Sequence, residues 1–319
     1  MSKKNIAIFG LGSHAIRKII PAIARSNNLE LLGCFTRNKE NLKEVSEEWN
    51  IIAWTSFHEM LSDPNLDIIY LSTPPGTHYK LGKKILESGK HLWCEKPLTV
   101  DHQHTLELID LSRNLNLSIF ECFMYRFHPH FKQVSDFISN EELGKAKTVS
   151  IKFGLPPMEE PGFRLNPDLG GSCLYDVGSY LFSALIDLFP NVEHEVIFSK
   201  INKDSLHKID ESGISLIRAN KTNCFLEWAY NRSYQNNIEI WFEDGSLYTN
   251  KIFSKPDAYR PKLITKDKFG SSSIIEIDNP NHFDLMLEYF FNSLEDSTLI
   301  DNERSRIQRL SSMLDEVLV

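Results

Sequence analysis

The chain has no Cys-x-x-Cys pair, and its five cysteines, Cys34, Cys94, Cys122, Cys173 and Cys224, are odd in number and far apart. Neither a disulfide framework nor a zinc ribbon fits that pattern, so reduced, buried thiols are expected. The histidines of the pairs His102/His104 and His128/His130 stand two residues apart, on different faces of any helix, and no metal site is expected from them. Positive charge is not in excess: 35 Lys and Arg stand against 43 Asp and Glu, a formal net charge of -8, with the basic residues scattered. That balance argues against a nucleic-acid partner. No apolar run approaches the length that spans a bilayer, and no amino-terminal stretch joins basic residues to a long apolar core. No membrane partner and a cytoplasmic location are therefore expected. Internal repeats and low-complexity tracts are also lacking.

What is present is a globular composition, 41% hydrophobic and 24% charged over 319 residues. At roughly 100 to 200 residues per domain, that length suggests two domains. Ile6 to Phe9 is an apolar run ending in Gly10-Leu11-Gly12, after which Ile16, Ile19, Ile20 and Ile23 recur at helical spacing. Strands at Leu29 to Phe35, Ile68 to Ser72, His91 to Cys94 and Ser118 to Cys122 alternate with helices at Asn41 to Trp49, His78 to Ser88 and His102 to Asn114. Repeated strand-helix units imply a doubly wound parallel sheet over 1–123. From 124 to 319 the pattern changes. A helix near Phe131 to Ile138 is followed by two-residue alternation, with Cys224, Leu226, Trp228 and Tyr230 on one strand face and Ile238, Ile240 and Phe242 on the next. Asp244-Gly245 reads as a hairpin turn. Two closing helices carry the stripes Phe283, Met286, Leu287, Phe290, Leu294 and Ile307, Leu310, Leu314, Val317. The expected fold is α/β: a doubly wound parallel domain followed by an α+β domain with a large, mostly antiparallel sheet.

In Gly10-x-Gly12-x-x-Ala15 the first glycine permits the turn, the second lets the backbone approach a diphosphate, and the small third residue lets helix lie on strand. The free N–H groups at the start of the following helix suit phosphate. The turn from Gly10 through Leu11, Gly12, Ser13 and His14 is thus the expected cofactor-binding segment. An NAD site usually has a carboxylate at the tip of the second strand; here that tip is Thr36-Arg37-Asn38. A hydroxyl and a guanidinium suit a 2′-phosphate, so NADP(H) is favoured over NAD(H), with Thr36 and Arg37 binding it.

These motifs do not stand alone. Thr73-Pro74-Pro75-Gly76-Thr77-His78, Gly89-Lys90-His91, Glu95-Lys96-Pro97, Tyr125-Arg126-Phe127-His128-Pro129, Gly170-Gly171 and Asp176-Val177-Gly178-Ser179-Tyr180 follow in order. The ordered set resembles the glucose–fructose oxidoreductase, inositol dehydrogenase and rhizopine-catabolism (Gfo/Idh/MocA) family over most of the chain. The resemblance implies a Rossmann domain, and a second domain whose open sheet binds substrate at the domain junction and commonly forms subunit contacts. It implies hydride transfer between nicotinamide and a hydroxyl or carbonyl carbon of a sugar or cyclic polyol, in a homodimer or homotetramer. Thr73, Pro74, His78, Glu95, Lys96 and Arg126 match positions at or near the cofactor in relatives. Many relatives have histidine where this chain has Tyr180. That departure resembles the branch holding glucose–fructose oxidoreductase, dihydrodiol dehydrogenases and deoxysugar ketoreductases.

A ketone that accepts hydride becomes an alkoxide, so the site needs a positive charge and a proton donor. Lys96 supplies the charge and Tyr180 the proton in this reading, with the ammonium making phenolate accessible for the reverse reaction. Asp176 orients Lys96 or the substrate, and Arg164 is the candidate for an anionic substrate group such as a diphosphate. Lys96, Arg164, Asp176 and Tyr180 are then the substrate-binding residues. The segment Phe225 to Phe253 is similar to relatives that reduce 3-keto groups on nucleotide-linked deoxysugars. A trans-dihydrodiol or xylose dehydrogenase would use the same lysine and tyrosine, and a cofactor-binding regulator without turnover is the alternative of a different class.

Overall fold

Strand β1 (Lys4–Phe9) buries Ile6, Ala7 and Ile8 completely, as a strand covered on both faces must. The computed structural model describes residues 3–318. A π-helical turn, Ala15–Ile19, runs into α1 (Ile20–Arg25), followed by β2 (Leu29–Phe35), α2 (Lys39–Trp49), β3 (Ile52–Ala53), α3 (Phe57–Leu61) and β4 (Ile68–Leu71). Then come α4 (His78–Glu87), β5 (His91–Cys94), α5 (His102–Asn114) and β6 (Ile119–Glu121). These strands pair in parallel in the order β3-β2-β1-β4-β5-β6. The order reverses between β1 and β4, and the loops leaving those two strands border the crevice in which open α/β sheets bind ligands. Local chemistry fixes the helix starts: the Asn38 side chain accepts from the N–H groups of Glu40 and Asn41, and Asp101 accepts from His104.

The second unit begins at Met124. It contains α6 (Pro129–Ser139), β7 (Ala146–Gly154), α7 (Ser179–Leu188), β8 (His194–Lys203), β9 (Asp210–Ala219), β10 (Thr222–Ala229), β11 (Gln235–Phe242), β12 (Gly245–Asn250), β13 (Lys262–Asp267) and β14 (Ser272–Glu276). Its sheet runs β14-β13-β12-β11-β7-β10-β9-β8, antiparallel except between β7 and β10. The stripes Cys224, Leu226, Trp228 and Ile238, Ile240 are buried, and Glu243 and Asp244 make the turn from β11 to β12.

The division of the chain differs from the expected 1–123 and 124–319. After α8 (His282–Ser293) and α9 (Ser297–Glu316) are formed, Phe283–Ser311 belongs to the first unit, and the residues from Ser312 onward to the second. The cause is side-chain packing that no periodicity reveals. Phe290 stacks on Phe120 at 4.4 Å and meets Trp93 edge-on at 5.5 Å, while Ile307 is part of the core beneath the parallel sheet. Arg304 donates to Ser112 Oγ at 3.0 Å and to the Leu117 carbonyl at 2.8 Å. A buried ion pair, Arg306 to Glu121 at 3.6 Å, joins α9 to the end of β6.

Candidate active site

The glycine turn after β1 is built around one obligatory residue. Gly10 has φ +100°, and a Cβ there would run into the Ser72 carbonyl just past β4. Its N–H donates to the Phe35 carbonyl at 2.9 Å, tying the turn to the tip of β2. Gly12 is different: a Cβ would meet nothing within 4 Å, and Gly12, Ser13 and His14 are exposed. The open space over Gly12 fits the close approach of a diphosphate. Leu11 is buried, its carbonyl held by Asn41 Nδ2 at 3.0 Å, and Ala15 is fully buried where the helix meets the sheet. The first helical turn is π-helical, a local widening that is frequent at functional sites. Thr36 is half-buried and Arg37 exposed at the tip of β2, whereas Asn38 is committed to capping α2.

On the loop after β5 the side chains converge on Glu95. Tyr70 donates its hydroxyl to Glu95 Oε1 at 2.5 Å, and His14 Nε2 lies 3.1 Å from the same oxygen. Burial works against ionisation of Glu95, but His14, the Tyr70 hydrogen bond and the neighbouring Lys96 outweigh it and hold the carboxyl below its ordinary range. Lys96 follows, half-buried, joined to Pro97 by a cis peptide. The next loop residue is also fixed: Leu98 N–H donates to Glu121 Oε1 at 2.8 Å.

Thr73 and Pro74 leave β4 half-buried, with Thr73 Oγ1 2.8 Å from Thr77 Oγ1. His78, expected near the cofactor, is turned inward. It is buried, with Nδ1 2.9 Å from the Pro97 carbonyl and Nε2 2.7 Å from the Thr73 carbonyl, so the ring lies between the two loops, and in its neutral form its single N–H donates to one of the two carbonyls. Burial pushes its pKa down, against the upward pull of those carbonyls and of Glu95.

In the second unit, Asp176 lies on another π-helical turn, Leu174–Gly178, that leads into α7. Its Oδ2 accepts from Arg164 Nε at 2.6 Å and from the Tyr230 hydroxyl at 3.0 Å. Asp176 thus holds Arg164. Gly171 makes the anchor possible, because a Cβ there would meet the carbonyls of Phe163, Arg164 and Asn166 at 2.6 to 2.7 Å. Tyr180 is buried, its ring against Phe153 and Phe253 at 5.4 Å and its hydroxyl 3.8 Å from Met124 Sδ. Arg126, expected near the cofactor, pairs with Asp187 in this unit at 3.0 Å. All five cysteines are buried and free; burial alone pushes Cys34 up to about 11, far from a thiolate at neutral pH.

Tyr70, Tyr230, Glu121 and Arg306 were not singled out in the sequence. Tyr70 and Tyr230 sit within apolar strand patterns and read as core; their only signal is a phenolic hydroxyl that must find a partner when buried. Glu121 and Arg306 are far apart in sequence, and nothing local links them.

A family model for an oxidoreductase family with an NAD-binding Rossmann fold matches residues 4–121, and one for the GFO/IDH/MocA C-terminal domain matches residues 131–248. The chain is similar to a dTDP-3,4-didehydro-2,6-dideoxy-alpha-D-glucose 3-reductase of Saccharopolyspora spinosa, 26% identical over 258 residues, covering 79% of this chain and 76% of that protein. It is also similar to a D-xylose 1-dehydrogenase (NADP(+)) of Haloferax volcanii, 31% identical over 179 residues, 56% of this chain and 54% of that one. Among solved structures, a 3-ketoreductase from Actinomadura kijaniata in complex with NADP and TDP-benzene superposes with a TM-score of 0.92 at 22% identity, covering 99% of this chain and 97% of that one. With both domain models matched in chain order and the glycine turn, Glu95-Lys96-Pro97 and Asp176-x-x-x-Tyr180 in place, the chain belongs to the GFO/IDH/MocA family of oxidoreductases.

Proposed function

We propose that the protein is an NADP(H)-dependent oxidoreductase that moves a hydride between nicotinamide and a carbonyl or hydroxyl carbon of a sugar-like substrate, with a nucleotide-linked keto-deoxysugar as the favoured class. The observation that carries this reading is the grouping around the β1/β4 crevice: a glycine turn with open space over Gly12, and Lys96 beside a carboxylate held ionised by His14 and Tyr70. The exposed Arg37, with no carboxylate at the tip of β2, supports NADP(H) over NAD(H). The relatives named for NADP and for a dTDP-linked keto sugar support the same choice.

When bound, the nicotinamide supplies or accepts the hydride. The chain's own residues do the rest. The Lys96 ammonium stabilises charge developing on the substrate oxygen, and Tyr180 gives that oxygen its proton. Glu95 is a positioning residue for Lys96. Arg164, anchored by Asp176 and Tyr230, takes an anionic group of the substrate, and a diphosphate suits its planar fork. A trans-dihydrodiol or xylose dehydrogenase is the second reading, favoured by the NADP(+)-named xylose relative at 31% identity and by the same lysine and tyrosine.

A homo-oligomer is part of the proposal. Phe198, Leu216, Phe225, Ser150, Glu239, Tyr248, Ile264 and Ile274 stand directly opposite one another across the eight strands of the second sheet. Phe198 is 50% exposed, Phe225 48% and Ile274 61%, so the row is apolar at both ends and interrupted in the middle by Ser150 and Glu239; its apolar ends are of the kind that a second copy covers.

The test is titration with NADPH and with NADH, followed by single-turnover oxidation of the bound cofactor against keto sugars, nucleotide-linked keto sugars and cyclic diols. NADPH-selective binding with oxidation by a nucleotide-linked keto sugar is the expected result. Equal efficiency with NADH removes the role of Arg37, and tight binding without turnover on any substrate favours a regulator.

A further inference from the structure

We propose that His14 couples the cofactor turn to the lysine: its doubly protonated ring donates to the cofactor's diphosphate on one side and to the Glu95 carboxylate on the other. Cofactor binding then takes up a proton at His14 and ties the cofactor to the fixed Glu95 carboxylate beside Lys96. The inference rests on the cofactor reading above and adds to it a means by which occupancy of the turn is felt at the catalytic lysine.

The geometry is specific. His14 follows Gly12 and Ser13 on the exposed rim of the turn, and its side chain remains 44% exposed although Nε2 is 3.1 Å from Glu95 Oε1. Nδ1 has no hydrogen-bond partner among the described residues. On its other flank the ring meets Phe283 edge-on at 5.3 Å, which limits its swing. Glu95 Oε1 is fixed independently by the Tyr70 hydroxyl, so the carboxylate does not move to suit the histidine.

The chemistry follows from counting protons. A neutral imidazole has one N–H and one lone pair. With Nε2 against a carboxylate, Nε2 must carry the proton, and Nδ1 is left presenting a lone pair. A phosphate oxygen brought to that lone pair is repelled. Only the imidazolium offers a donor to both anions, and both bonds are then charge-assisted. The other charged groups around the ring do not supply this bridge. Arg17 and Lys18 lie on the helical turn that follows it, Lys96 lies next to Glu95, and Asp284, next to Phe283, is taken by Arg25 at 2.6 Å. Histidine is the side chain that changes charge near neutral pH, so proton and cofactor favour each other at this position, and by linkage each strengthens the binding of the other.

Calorimetric titration of the whole protein with NADPH, in two buffers of different ionisation enthalpy at pH 7.5, counts the protons exchanged on binding. The count is the difference between wild type and His14→Gln, which cancels the ionisation of the ligand's own 2′-phosphate. Wild type takes up a measurable fraction of a proton more than His14→Gln, and the variant binds NADPH about tenfold more weakly, the loss expected for one charge-assisted bond. Affinity in the variant also loses its rise toward acid pH. His14→Lys, a permanent cation, restores affinity without proton uptake, and Tyr70→Phe keeps the uptake while lowering kcat. Identical proton counts and affinities in wild type and His14→Gln overturn the coupling while leaving the cofactor reading intact. Failure of the unaltered protein to bind NADPH or NADH overturns that reading and the coupling with it.

Discussion

Replacing Lys96 by Met keeps most of the side chain's length and removes its charge, whereas Tyr180→Phe keeps the ring packed against Phe153 and Phe253 and removes one hydroxyl. Both changes are therefore aimed at chemistry. Loss of a charge or donor at a developing oxyanion costs about 10²- to 10³-fold in turnover, and loss of a general acid about 10²- to 10⁴-fold. We expect kcat to fall by that order in each variant while NADPH affinity changes little, since the glycine turn is untouched. Near-normal turnover in either one removes the role assigned to that residue. The sequence singles out both residues as candidates through their motifs. It does not show what holds Glu95 and Asp176, because Tyr70 and Tyr230 differ from ordinary core aromatics only in which polar group their hydroxyl reaches.

At the scale of elements, the start of α6 and the segment between β12 and β13 bring three basic groups together. Lys255 is 9% exposed and donates to the Ile252 carbonyl at 3.1 Å. Burial pushes its pKa from 10.5 to about 7. His128 is held at about 4 and His130 at about 3, by burial first and then by the lysine's charge. Unfolded, all three bind protons more readily than when folded, so stability rises with pH wherever folded and unfolded forms differ. For Lys255 that window runs from about 7 up to 10.5, and for the histidines from 6.5 down to about 4 and 3. Thermal unfolding of the wild type should therefore shift upward between pH 7 and 9. In Lys255→Met the shift should flatten, and stability at pH 7.5 should gain roughly 2 to 4 kcal/mol, because no buried amine remains to be desolvated. The same pH slope in both proteins would show that the amine is not what sets it.

For the whole molecule, the register of the second sheet matters more than the composition of any one strand. Phe225 is followed along the sheet by Leu216 and Phe198 on one side and by Ser150 on the other, and Trp241 is 63% exposed on β11. The row already carries the exposed Glu239 on β11; a further charge beside it, at Phe225 in the row or at Trp241 two residues along β11, must be desolvated when the proposed second copy covers this face. Phe225→Glu combined with Trp241→Glu is expected to convert the proposed oligomer to monomer in sedimentation velocity, with NADPH affinity unchanged. A wild-type protein that already sediments as a monomer at micromolar concentration contradicts the oligomer reading. Alternation in the sequence marked these strands as two-faced, but the sequence alone could not say which residues on different strands line up.

The sequence by itself determined the alternation of strand and helix in the first half, the parallel first sheet, the mostly antiparallel second one, and the motif residues Gly10, Gly12, Lys96, Asp176 and Tyr180. These are local properties: periodicity, a glycine where φ is positive, and side chains whose chemistry is carried within a few residues. Tertiary structure alone decided which sheet receives Phe283–Ser311, since an apolar stripe identifies a buried face but not its partner. It also laid the His78 ring between two carbonyls, gave Asp176 to Arg164 and Tyr230, and set His14 against Glu95. Each of those contacts joins residues on different elements, and their distances exist only after the sheets have formed and the helices have been laid against them.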